Sequence, residues 1–74
     1  MNKEMALEIV REELACATQG FGCFASSHEG YAIIKEELDE LWEAIKDKEL
    51  GASAQEIEAR QVAAMAIRFL IDLC

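Results

Sequence analysis

Not one proline interrupts this chain, and glycine occurs only four times in its 74 residues. Proline removes a backbone donor and jams the preceding helical turn, and glycine costs about 1 kcal/mol at a helix position relative to alanine. A chain nearly free of both can run long helices, so the useful signals are those that start and stop them. Leu7, Val10, Leu14 and Ala17 recur at spacings of three and four, predicting a first amphipathic helix over about residues 3–17. Gln19-Gly20-Phe21-Gly22 follows as its stop, since glycine favours a helix end. Ser26 with Glu29 three residues on forms a capping box, which opens a second helix over about residues 27–49. Tyr31, Ile34, Leu38, Leu41 and Ile45 give that helix an apolar stripe, widened by Trp42. A second box, Ser53 and Glu56, predicts a third helix over about residues 54–73.

The expected fold class is therefore all-α, a three-helix chain forming a bundle. Between Val62 and Ile71 only Arg68 is charged, and a helix apolar on every side is expected to be buried on every side. A domain this short buries only about 60% of its unfolded surface. Yet 53% of its residues are hydrophobic. Self-association, as a dimer or a dimer of dimers, is the expected way to cover the excess. The loop between the first two helices carries Phe21, Cys23 and Phe24. Either these side chains pack over the core, or the aromatics lie against a nucleobase, where stacking contributes roughly 1–3 kcal/mol.

Charge and cysteine usage narrow the function classes. The formal net charge is −8, which repels nucleic-acid phosphate and argues against direct DNA or RNA binding. Cys16, Cys23 and Cys74 are odd in number and lack metal-ligand spacing, which reads as reduced cytosolic thiols rather than disulfides. The amino-terminal residues alternate charged and apolar side chains, without a signal-peptide core. The most apolar stretch is too short to span a bilayer. A cytoplasmic protein with no membrane partner is expected.

The most informative segment is Glu36-Glu37-Leu38-Asp39-Glu40-Leu41-Trp42-Glu43, five of whose eight residues are acidic. Like charges three or four positions apart on a helix destabilise it by roughly 0.2–0.5 kcal/mol per pair. Asp39 has Lys35 within one turn and Glu43 has Lys46, whereas Glu36, Glu37 and Glu40 have no lysine or arginine three or four positions away. Ile33, Glu37, Glu40 and Ala44 form a stripe of their own, which places carboxylates on a partly apolar face. In the third helix Glu58 shares a face with Val62, Met65 and Phe69 and also lacks a local cation. Partly enclosed carboxylates need a partner. Two partners suffice: Arg60 or Arg68 from a neighbouring helix, or a hard divalent cation such as Mg2+ or Mn2+, which prefers all-oxygen ligands.

Glu36-Glu37-x-x-Glu40, followed after a turn by Glu58-x-x-Gln61, resembles the E-E-x-x-E … E-x-x-D pattern of the MazG-like all-α nucleoside triphosphate pyrophosphohydrolases. Ser27-His28-Glu29-Gly30-Tyr31, Leu41-Trp42 and Gln61-Val62-Ala63-Ala64-Met65-Ala66 are similar to small members found in phages and bacteria. The resemblance implies a helical bundle completed by dimerisation and an Mg2+-dependent hydrolase that cleaves a (d)NTP to the monophosphate and pyrophosphate. Carried over position by position, it makes Glu37, Glu40, Glu58 and Gln61 the metal ligands, with Glu36 a further ligand or the residue orienting the attacking water. Gln61 stands where the family has aspartate, which raises the alternative of a non-catalytic relative that binds a nucleotide or a protein partner. The chain ends straight after the third helix, so a fourth is expected to be absent or to come from another subunit.

Overall fold

The computed structural model describes residues 1–19, Gln19 by its backbone only, and 22–74. Gly20 and Phe21, expected as helix stop and apolar loop residue, lie outside the described residues. Three helices appear in chain order: α1 (Lys3–Gln19), α2 (Ser27–Lys46) and α3 (Gly51–Leu73). There is no strand among the described residues, and no helix there is long and apolar enough to cross a membrane.

Local chemistry sets the helix ends. Asn2 starts α1, its Oδ1 accepting from the Met5 N–H at 2.8 Å. At α2 the Glu29 N–H donates to Ser26 Oγ at 3.1 Å, the forward half of the expected box, while Glu29 Oε1 reaches one residue past the cap and accepts from the Ala25 N–H at 3.1 Å. Three boundaries depart from expectation. α1 runs on to Gln19, two residues past the expected 17. α2 stops at Lys46, short of residue 49, because Asp47 leaves the helical region and its Oδ1 accepts from the Glu49 N–H at 3.0 Å. An aspartate that bonds the backbone two residues on offers a turn in place of another helical turn. α3 begins at Gly51, not beside Ser53. Its cap residue Leu50 makes no side-chain bond, and Gly51 takes φ of 73°, a left-handed conformation that glycine adopts readily.

α3 is the central element. Both α1 and α2 pack against it, and among the described residues α1 and α2 do not pack on each other. Gly30 of α2 faces Phe69 and Leu73 of α3, while Glu37 meets Gln61, so α2 and α3 run antiparallel. The core is small: Phe24, Ala64 and Met65 are buried, with Leu14, Ala17, Ile33, Ile34, Phe69 and Leu73 around them. Phe24 comes from the loop and is pinned there. Its N–H donates to Asp72 Oδ2 at 2.9 Å, and the Arg68 guanidinium lies 4.3 Å from its ring centroid. Arg68 also pairs with Asp72 at 3.4 Å and donates to the Gly22 carbonyl. For Phe24, packing over the core is what the structure shows.

Two apolar surfaces are placed differently from the sequence expectation. Tyr31, Leu38, Trp42 and Ile45 of the α2 stripe are exposed, Trp42 by 56%. The buried residues of α2 are instead Gly30 and Ala44, because small side chains let α2 approach α3 closely and, among the described residues, no other helix lies over the bulky stripe. α3 is likewise not buried on every side. One copy of the chain covers only the sides that meet α1 and α2, leaving Ile57, Leu70 and Ile71 exposed.

Candidate metal centre

The α2–α3 hairpin determines what the acidic row can do. Glu37 and Glu40 lie one turn apart on α2, on the side that includes Ile33 and Ala44, and Ala44 is buried. The antiparallel return brings α3 past them, so that Glu58 stands opposite. One carboxylate oxygen from each of Glu37, Glu40 and Glu58 falls within a set whose members are all within 4.8 Å of one another. Two full negative charges about 5 Å apart repel by roughly 3 kcal/mol at an effective dielectric of about 20. The site responds by holding protons: burial first, then the charge and hydrogen bond of Glu40, then Glu58 and Glu36, push Glu37 up to about 7. Glu58 is raised as well, by burial first and then by Glu40.

The two arginines that could have neutralised this cluster are engaged elsewhere. Arg60 Nε lies 3.8 Å from Glu13 Oε1 on α1, and Arg68 is held by Asp72. The acids expected to be compensated are paired, Asp39 with Lys35 at 2.9 Å and Glu43 with Lys46 at 2.9 Å. Among the described residues no salt bridge reaches Glu37, Glu40 or Glu58. Three crowded carboxylates, those of Glu37 and Glu58 raised toward holding a proton and none paired with a cation among the described residues, form a donor set suited to a hard divalent ion.

Gln61 and Glu36 occupy different places around that set. With its amide oriented to satisfy its neighbours, the Gln61 nitrogen donates to Glu58 Oε2 and to Glu37 Oε2, each at 3.0 Å. It thus ties two of the carboxylates together across the helix pair, and it would have to turn its amide to offer the oxygen to a cation. Glu36 is exposed and stands outside the three-carboxylate set. With Glu40 and Glu58 it lines an open cleft of about 750 Å³ at the hairpin end of the molecule.

The cleft extends beyond the residues legible as a motif. Lys46, Asp47, Leu50 and Ala54 complete its wall. They surround the α2–α3 turn, whose signals in the sequence are Gly51, left-handed at the start of α3, and Asp47, whose backbone-bonding carboxylate ends α2 early. His28 is exposed in the first turn of α2, and the exposed cysteines Cys16, Cys23 and Cys74 are unpaired. No protein-family model matches the chain, and no curated protein or solved structure matches it.

Proposed function

We propose that the chain is an Mg2+-dependent nucleoside triphosphate pyrophosphohydrolase of the MazG-like type, acting as a homo-oligomer. The observation that carries the reading is the convergence of Glu37, Glu40 and Glu58 from two helices onto one spot that no arginine or lysine among the described residues neutralises. The order E-E-x-x-E then E-x-x-Q along the chain supports it. When bound, Mg2+, or Mn2+ in its place, would neutralise phosphate charge and assist attack by water. Glu37, Glu40 and Glu58 would hold the ion, and Glu36, exposed on the cleft wall, would accept the proton of the attacking water. The products are a nucleoside monophosphate and pyrophosphate. The apolar stripe of α2 that one copy leaves uncovered is the surface a second copy would take.

The experiment is a panel of (d)NTPs incubated with Mg2+ and with Mn2+, the products resolved as pyrophosphate or orthophosphate. Pyrophosphate release is expected. A diphosphate as main product overturns the assignment.

The second reading, a non-catalytic relative that binds a nucleotide or a protein partner, is favoured by one observation: Gln61 donates to two of the carboxylates instead of adding a fourth. Gln61→Asp separates the two readings. If the acidic position is the missing ligand, the variant binds Mg2+ more tightly and turns over faster than the wild type. A wild type that already hydrolyses as fast as the variant assigns Gln61 to holding the glutamates in place.

A further inference from the structure

Seven lysines and arginines are present in the chain, and the structure distributes them unevenly. Arg68 is buried against Phe24, Arg60 faces Glu13, and Arg11 is paired with Glu8 on α1. Lys35 is held by Asp39 through both carboxylate oxygens. Six carboxylate side chains line the cleft at the α2–α3 hairpin, and Lys46 is the one cation among the described residues that lines it. A polyphosphate entering that cleft brings more negative charge than one divalent ion neutralises, so its far end needs a cation from the protein.

We propose that Lys46 is the phosphate-contacting residue of the cleft, receiving the pyrophosphate half of the substrate while the glutamates hold the metal. This rests on the pyrophosphohydrolase reading above. Lys46 lies on α2 between one and two turns beyond Glu40, on the wall shared with Glu58. Its ammonium is placed by two weak interactions. Nζ is 2.9 Å from Glu43 Oε1 and 5.6 Å from the ring centroid of Trp42. Its side chain is 48% exposed and that of Glu43 71%, and an ion pair so open to water contributes little. A phosphate offers a doubly charged, multidentate acceptor in its place, so exchange of partner is favoured. Lysine on a flexible stem suits that movement better than a fixed arginine fork. The ring of Trp42, 56% exposed, offers the ammonium an attraction that is small at an open site.

The test titrates Mg2+, and then inorganic pyrophosphate in the presence of Mg2+, into the full chain and into Lys46→Met and Lys46→Arg, by calorimetry. Melting curves first establish that each variant folds. The expected result is Mg2+ affinity equal to or slightly above wild type in Lys46→Met, pyrophosphate affinity lower by about tenfold, and recovery of most of the loss in Lys46→Arg. Pyrophosphate binding by Lys46→Met at wild-type strength overturns the proposal, and so does a wild type that takes up Mg2+ but not pyrophosphate. A wild type that takes up no Mg2+ removes the hydrolase reading itself, and this proposal with it.

Discussion

Glu37 is the side chain in which the conflict at the site is concentrated. Its ordinary value near 4.5 is pushed up to about 7 by burial and by the neighbouring glutamates. A carboxyl whose folded value is raised favours the folded state fully below the unfolded value and loses that contribution as pH rises through the folded one. Without metal, the melting temperature should therefore fall between about pH 4.5 and pH 7 on account of Glu37. Melting curves across that window should show the fall in the wild type and a flatter profile in Glu37→Gln. Because Glu37 must lose its proton to serve as a ligand, Mg2+ binding should weaken as pH drops below 7. Glu40 contributes to the raised values of both Glu37 and Glu58, so its removal tests the cluster as a unit. Glu40→Gln should be more stable than wild type in metal-free buffer at neutral pH and should lose the rise in melting temperature that Mg2+ gives through linkage. A variant that still responds to Mg2+ like the wild type places the ion elsewhere.

At the scale of elements, the α2–α3 hairpin positions the site, and its closeness depends on Gly30. A Cβ at Gly30 would meet Phe69 Cδ2 at 2.6 Å, Cε2 at 2.9 Å and Leu73 Cδ1 at 3.2 Å. On an open helix surface glycine to alanine stabilises by roughly 0.5–1 kcal/mol. Here Phe69 and Leu73 would both have to move, and overpacking costs typically 1–3 kcal/mol. Gly30→Ala should therefore be a net loss of about 1 kcal/mol, read as a lower urea midpoint with an unchanged slope. The loop ahead of α2 is tied to α3 by a separate device, the Arg68–Asp72 pair, whose guanidinium lies over the Phe24 ring and whose carboxylate accepts from the Phe24 N–H. Asp72→Asn keeps the shape and removes the charge that balances a buried guanidinium. Breaking such a pair costs about 3 kcal/mol or more. The expected outcome is a lower denaturant midpoint together with faster hydrogen exchange at the Phe24 amide, whose acceptor is weakened.

The whole molecule is open for its length. Its Cα radius of gyration is 12.8 Å, against about 11 Å for a compact domain of this size. Among the described residues no large side chain is completely buried, while Tyr31, Leu38, Trp42, Leu70 and Ile71 are all more than half exposed. On the proposed reading a second copy covers this surface, so the protein should sediment as a dimer or a dimer of dimers at micromolar concentration. Trp42→Glu places a charge in the outer stripe of α2 and should shift the distribution toward monomer while far-ultraviolet circular dichroism stays helical. A folded wild-type monomer at that concentration counts decisively against self-association.

By itself the sequence determined that the chain is helical, the number of helices, the start of α2 and the pairing of Asp39 and Glu43 with their own lysines. Each of these depends on neighbours within one helical turn or on the absence of proline, and such signals act along the chain. It also marked Glu37, Glu40 and Glu58 as acids without local cations, which is a statement about spacing. That the three meet, and that Arg60 and Arg68 turn away from them, was decided only when α2 folded back along α3, because it depends on residues some twenty positions apart. The end of α2 depended on one exposed side chain, Asp47, bonding forward to the Glu49 N–H. The apolar stripe of α2 was legible as a stripe but not as an outer one. Periodicity reports that a helix has a greasy face; which face meets the neighbour was decided by close approach at Gly30 and Ala44, a short-range steric preference that hydrophobicity alone does not encode.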